Sequence, residues 1–83
     1  MNNATPNQDF FRTADIWLIA FLIASGKKYL YIDRQITEGK SVVFFFFPLD
    51  VEELAHDFFN GEKIPAIALK DAISRVKSIL YDF

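Results

Sequence analysis

Cysteine is absent from this 83-residue chain, and histidine occurs once, at position 56. The first absence excludes disulfide staples, thiolate zinc sites and cysteine nucleophiles. The second leaves any imidazole chemistry with a single side chain. Glycine and proline are scarce, at three each, and the glycines are isolated from one another. Each therefore marks a turn or a helix end, and no glycine-rich phosphate loop can be drawn. No apolar run approaches the ~20 residues that span a membrane; the longest, Ile16 to Ala24, has nine. Met1 to Gln8 is polar and lacks the basic start and apolar run of a secretory signal. These absences set the expectation of a cytoplasmic protein with no membrane partner, no metal and no cofactor.

A large charge of one sign is also missing. Nine Lys and Arg stand against eleven Asp and Glu, a net charge of −2. A general nucleic-acid binder carries a basic excess, so only a local basic patch stays open. What the chain has in quantity is phenylalanine, ten of its residues. Four of these are consecutive, in Ser41-Val42-Val43-Phe44-Phe45-Phe46-Phe47-Pro48. As a strand, this stretch sends aromatic rings to both faces, because side chains alternate. It needs cover on both sides.

The remaining patterns place the other elements. Residues 1–10 read as a flexible N-terminal tail and 11–83 as a single domain, although Phe10 and Phe11 have reason to fold back on the body. A first helix is expected from Thr13, with Thr13 as cap and Asp15 in the first turn, ending at Gly26. It is apolar almost all round, so it belongs at the centre of a core or against a partner. A hairpin follows, Tyr29 to Gln35 and Ser41 to Phe47. Its turn is Thr37-Glu38-Gly39-Lys40, with Glu38 and Gly39 at the tip. Ile32 then faces Phe45. One face holds Leu30, Ile32, Arg34, Val43, Phe45 and Phe47 and is assigned to the core. The other holds Tyr29, Tyr31, Asp33, Gln35, Val42, Phe44 and Phe46. Asp50 and Glu53 fit a capping box for a helix over Val51–Phe59, which Asn60-Gly61 closes. A last helix starts near Pro65, with Ile67, Leu69, Ala72, Ile73, Val76, Ile79, Leu80 and Phe83 at helical spacing. The order is α-β-β-α-α. The fold class is α+β, with helices packed on one face of a small antiparallel hairpin sheet.

Several of these marks resemble a family of small prokaryotic and phage domains of unknown function. They are Thr13-Ala14-Asp15, Leu18 with Ala20-Phe21-Leu22 and Gly26, Phe45 and Phe47, Phe58-Phe59-Asn60-Gly61, and Ala72 with Leu80-Tyr81. The likeness spans Arg12 to Asp82 and consists of core and cap residues. It implies a bacterial, archaeal or viral source. For a phage-encoded member it implies a counter-defence role, blocking a host protein or sequestering a nucleotide. It transfers no site residues.

Catalytic signatures are lacking. His56 has Glu52 four residues before it, on the same helical face. Two ligands make too small a metal site, so a solvated acidic face with a titrating histidine is the plainer reading. Ser25, Ser41, Ser74 and Ser78 have no nucleophile-elbow context. No catalytic and no metal residues are expected, and the chain reads as a non-enzyme. The candidate ligand- or partner-binding residues are Tyr29, Tyr31, Phe44, Phe46 and Arg34. Bare phenylalanines invite aggregation, and an isolated hairpin leaves both edges open. A homodimer closing those edges is expected, as a module that binds a host protein or a small ligand such as a nucleotide. The alternative is a nucleic-acid accessory protein, with bases stacked on the hairpin aromatics near Lys27, Lys28, Arg34 and Lys40.

Overall fold

The computed structural model describes residues 10–61 and 65–82. Its elements are β1 (Phe10–Thr13), α1 (Ile16–Ala24), β2 (Tyr31–Thr37), β3 (Lys40–Pro48), a 3-10 turn (Leu49–Val51), α2 (Glu52–Phe59) and α3 (Ala66–Asp82). The α+β class holds, and the helices share one face of an antiparallel sheet. That sheet has a third strand, β1, in the order β1-β3-β2. Phe10 thus belongs to the sheet and not to the expected tail, whose residues 1–9 lie outside the described ones. The phenylalanine strand is central, paired with Phe10–Thr13 on one side and Tyr31–Thr37 on the other.

The hairpin register follows from its turn. Glu38 (φ 52) and Gly39 (φ 79) both have positive φ, the two-residue type I′ geometry that matches strand twist. Thr37 then faces Lys40, and Ile32 faces Phe45, as expected. Phe45 and Phe47 are wholly buried on the helix side, with Leu18, Ile19, Phe21 and Leu22 of α1, Val51, Ala55 of α2, and Ala72 and Val76 of α3. Each large side chain removed from water there contributes about 1.5–3 kcal/mol. The all-apolar α1 is at the centre of the core: Leu18 through Leu22 are buried without interruption, while Trp17 stays exposed.

Local details depart from expectation, each for a physical reason. Thr13 ends β1, and Asp15 caps α1. Asp15 Oδ1 accepts from the Trp17 and Leu18 amides at 3.0 and 3.3 Å. Thr13 Oγ1 accepts from the Asp15 amide at 3.1 Å and so supports the cap. The Asp50–Glu53 capping box does not form: Pro48 leads into the 3-10 turn, Asp50 lies inside it, and α2 begins at Glu52 with no side-chain cap. Leu30 precedes β2 and is half exposed instead of lining the core. Ile67, in the first turn of α3, is exposed as well. Phe83 lies outside the described residues.

The end of α1 closes in a Schellman motif. The Lys27 amide donates to Leu22 O at 3.0 Å and the Gly26 amide to Ile23 O at 2.9 Å, with Gly26 at φ +93. A methyl group at Gly26 would meet nothing within 4 Å, so only backbone strain opposes it. Gly26→Ala is therefore expected to cost about 1–2 kcal/mol in urea denaturation. Gly26→Asn should recover part of that loss, since asparagine tolerates the left-handed region.

Candidate functional site

The face of the sheet turned away from the core is where the unexplained aromatics gather. Side chains alternate along each strand, so Arg12, Phe44 and Phe46 share this face with Tyr31, Asp33 and Gln35. Tyr31 stacks on Phe46, with ring centroids 4.4 Å apart and planes 9° from parallel. Phe10 meets both edge-on, at 5.9 Å from Tyr31 and 6.4 Å from Phe46. Edge-to-face and offset arrangements satisfy the ring quadrupoles, adding about 0.5–1.5 kcal/mol per pair.

Polar groups then bridge the central strand. The Arg12 guanidinium, from β1, lies 4.5 Å from the Phe44 ring centroid. It donates to Gln35 Oε1 on β2 at 3.2 Å. Gln35 Nε2 in turn donates to Asp33 Oδ2 at 3.3 Å. The Arg12–Gln35 bond thus spans β3 from one edge strand to the other, and the guanidinium covers Phe44 by a cation–π contact. Phe10, Arg12, Tyr31, Asp33, Gln35 and Phe46 together line a concavity of about 430 Å³, within the size range of small-molecule sites. No helix residue contributes to its wall.

This geometry sorts the five candidate residues. Tyr31 and Phe46 sit together in the concavity, and Phe44 lies beside it under Arg12. Tyr29 does not join them. It precedes β2, so it escapes the strand alternation, and its ring packs edge-on against Phe45 and Phe47 at 5.2 and 6.5 Å on the helix side. Arg34 is on the core-face register opposite Val43, near the sheet edge, where its Nη1 donates to Ser41 Oγ at 3.0 Å.

Family models, curated proteins and solved structures were compared with the chain, and none matches. Phe10 and Arg12 are the members of the site that the sequence did not announce. A usable signal was present: Phe10-Phe11-Arg12-Thr13 is a short β-prone run ending just before the Asp15 cap.

The expected cover for the aromatic strand is partly supplied from within one chain. Phe46 keeps only 7% of its surface exposed, beneath Tyr31 and Phe10. What stays open on this face is Tyr31, at 45% exposure; Ile36, at 72%, is exposed on the same edge strand but on the opposite face, beyond Arg34. His56 is exposed on α2. Among the described residues no three potential metal ligands come together, and no helix is long and apolar enough to cross a membrane.

Proposed function

We propose that this chain is a non-enzymatic binding module that pairs with a second copy of itself through β2 and the open face of its sheet. The protein or small ligand that it serves is held at the concavity beside that joint. The observation that carries this reading is the helix-free aromatic face running out to an unpaired edge strand. Among the described residues, the seven of β2 have no strand on their outer side to take one row of backbone donors and acceptors. An edge of this length with Ile36 and Tyr31 exposed is a template for pairing. The two-fold solution is the commonest closed one. Pairing β2 with its copy would join two three-stranded sheets into one of six strands.

The nucleic-acid alternative has less support. Asp33 adds an anion to the concavity, while Lys27 and Lys28 line a different one.

Solution mass by light scattering on a sizing column tests the pairing, for the wild type and for Tyr31→Arg. Arginine can still lie flat on Phe46, so the fold is kept, while like charges meet across a two-fold axis. The expected result is a wild-type dimer and a folded Tyr31→Arg monomer. A wild-type monomer at micromolar concentration would overturn the pairing.

A further inference from the structure

We infer that the concavity between the end of α1 and the middle of α3 is a binding site for a nucleotide, the phosphates held by Lys27, Lys28 and Arg75. This site is separate from the open sheet face. It measures about 430 Å³ and is lined by Ile23, Lys27, Lys28, Tyr29, Arg75 and Ile79. Three of the six side chains are cationic and none is a carboxylate, in a chain whose net charge is −2. The other three offer aliphatic and aromatic surface. Such a wall matches a ligand with a multiply charged end and a flat, weakly polar end.

The cations come from distant parts of the chain. Lys27 and Lys28 follow the Schellman turn of α1, where the negative end of the helix dipole favours them. That explains two charges at this place and leaves the third unexplained. Arg75 is the tenth residue of the seventeen in α3, well inside the helix. Asp71, one turn before Arg75, does not line the concavity. Among the described residues no ion pair neutralises Lys27, Lys28 or Arg75. Three like charges around one hollow repel one another, and a polyanion in it turns that repulsion into attraction.

The frame is also rigid. The Lys27 amide is tied to Leu22 O, and Tyr29 is wedged edge-on against the buried Phe45 and Phe47. Arg75 precedes Val76, which is wholly buried. Backbones held in this way lose little freedom on binding.

Titration of the ¹⁵N-labelled full chain with ATP, adenosine and tripolyphosphate tests the proposal. With ATP, amide shifts are expected to cluster at Ile23, Lys27–Tyr29, Arg75 and Ile79. Arg75→Ala, an exposed helix position where alanine is well tolerated, should weaken ATP by about tenfold or more, the loss of one charge-assisted contact. Adenosine and tripolyphosphate should each bind more weakly than ATP. Shifts scattered elsewhere, an unchanged affinity in Arg75→Ala, or tripolyphosphate binding as tightly as ATP would overturn the nucleotide assignment. Tyr31→Arg, on the opposite face, should leave ATP affinity unchanged; its failure to do so would show that the two surfaces are not independent.

Discussion

Phe45→Ala is expected to destabilise the domain by about 3–5 kcal/mol, the usual loss when a buried phenylalanine is truncated. Domains of this kind hold on the order of 5–15 kcal/mol in total, so the variant would sit close to unfolding. Phe45 has no exposed surface and lies in the middle of the central strand. It faces Ile32 on one neighbour and Thr13 on the other, and its ring meets Tyr29 edge-on. The neighbours that would have to collapse into the cavity belong to a three-stranded sheet and a buried helix, so relaxation would be partial. Urea denaturation should show the midpoint fall with little change in slope, since the surface exposed on unfolding barely changes. Phe44→Ala is the internal comparison. Phe44 is half-buried on the other face, under the Arg12 guanidinium, and its truncation should cost about 1–2 kcal/mol. Equal losses at the two positions would contradict the division of the phenylalanine run into a core face and an outer face.

That division was legible in the sequence because two local signals agree. Glu38-Gly39 favours a two-residue turn, and a two-residue turn leaves one register in which Ile32 meets Phe45. Tyr29 was misplaced because alternation was extended two residues past the start of the strand. Outside the ladder nothing enforces period two, and Tyr29 turns to the richer apolar surface of Phe45 and Phe47. Asp50 and Glu53 carried a real capping signal, but the chain leaving Pro48 tightens into a 3-10 turn and never presents Asp50 at the cap. β1 was hidden for a different reason. Four residues carry little periodicity, and their stabilisation comes from a partner strand more than thirty positions away. The candidate site inherits this pattern. Tyr31 and Phe46 come from the hairpin and could be read locally, whereas Phe10 and Arg12 reach the site only through long-range pairing.

The same long-range pairing makes β1 the guard of the fold. Val42 to Phe47 is an uncharged, proline-free run of β-branched and aromatic residues, the composition that stacks into cross-β assemblies when an edge is exposed. In the native sheet β2 pairs with Lys40 to Phe46 on one side, and β1 covers the phenylalanine end, Phe45 to Pro48, on the other. Phe11 anchors β1: it stands opposite Phe47 and packs against the core. Phe11→Asp would place a carboxylate among apolar groups, at a cost of several kcal/mol unless the strand detaches. Detachment also removes Phe10 from Phe46 and Arg12 from Phe44, so both the edge and the outer face of β3 open together. The expected outcome is aggregation within hours at concentrations where the wild type stays clear, with thioflavin-positive material growing from it. Phe11→Leu, which keeps an apolar anchor, should behave as the wild type. A Phe11→Asp variant that stays in solution with an unshifted urea midpoint would mean that β1 protects nothing, and the chain's tolerance of four consecutive phenylalanines would need another cause.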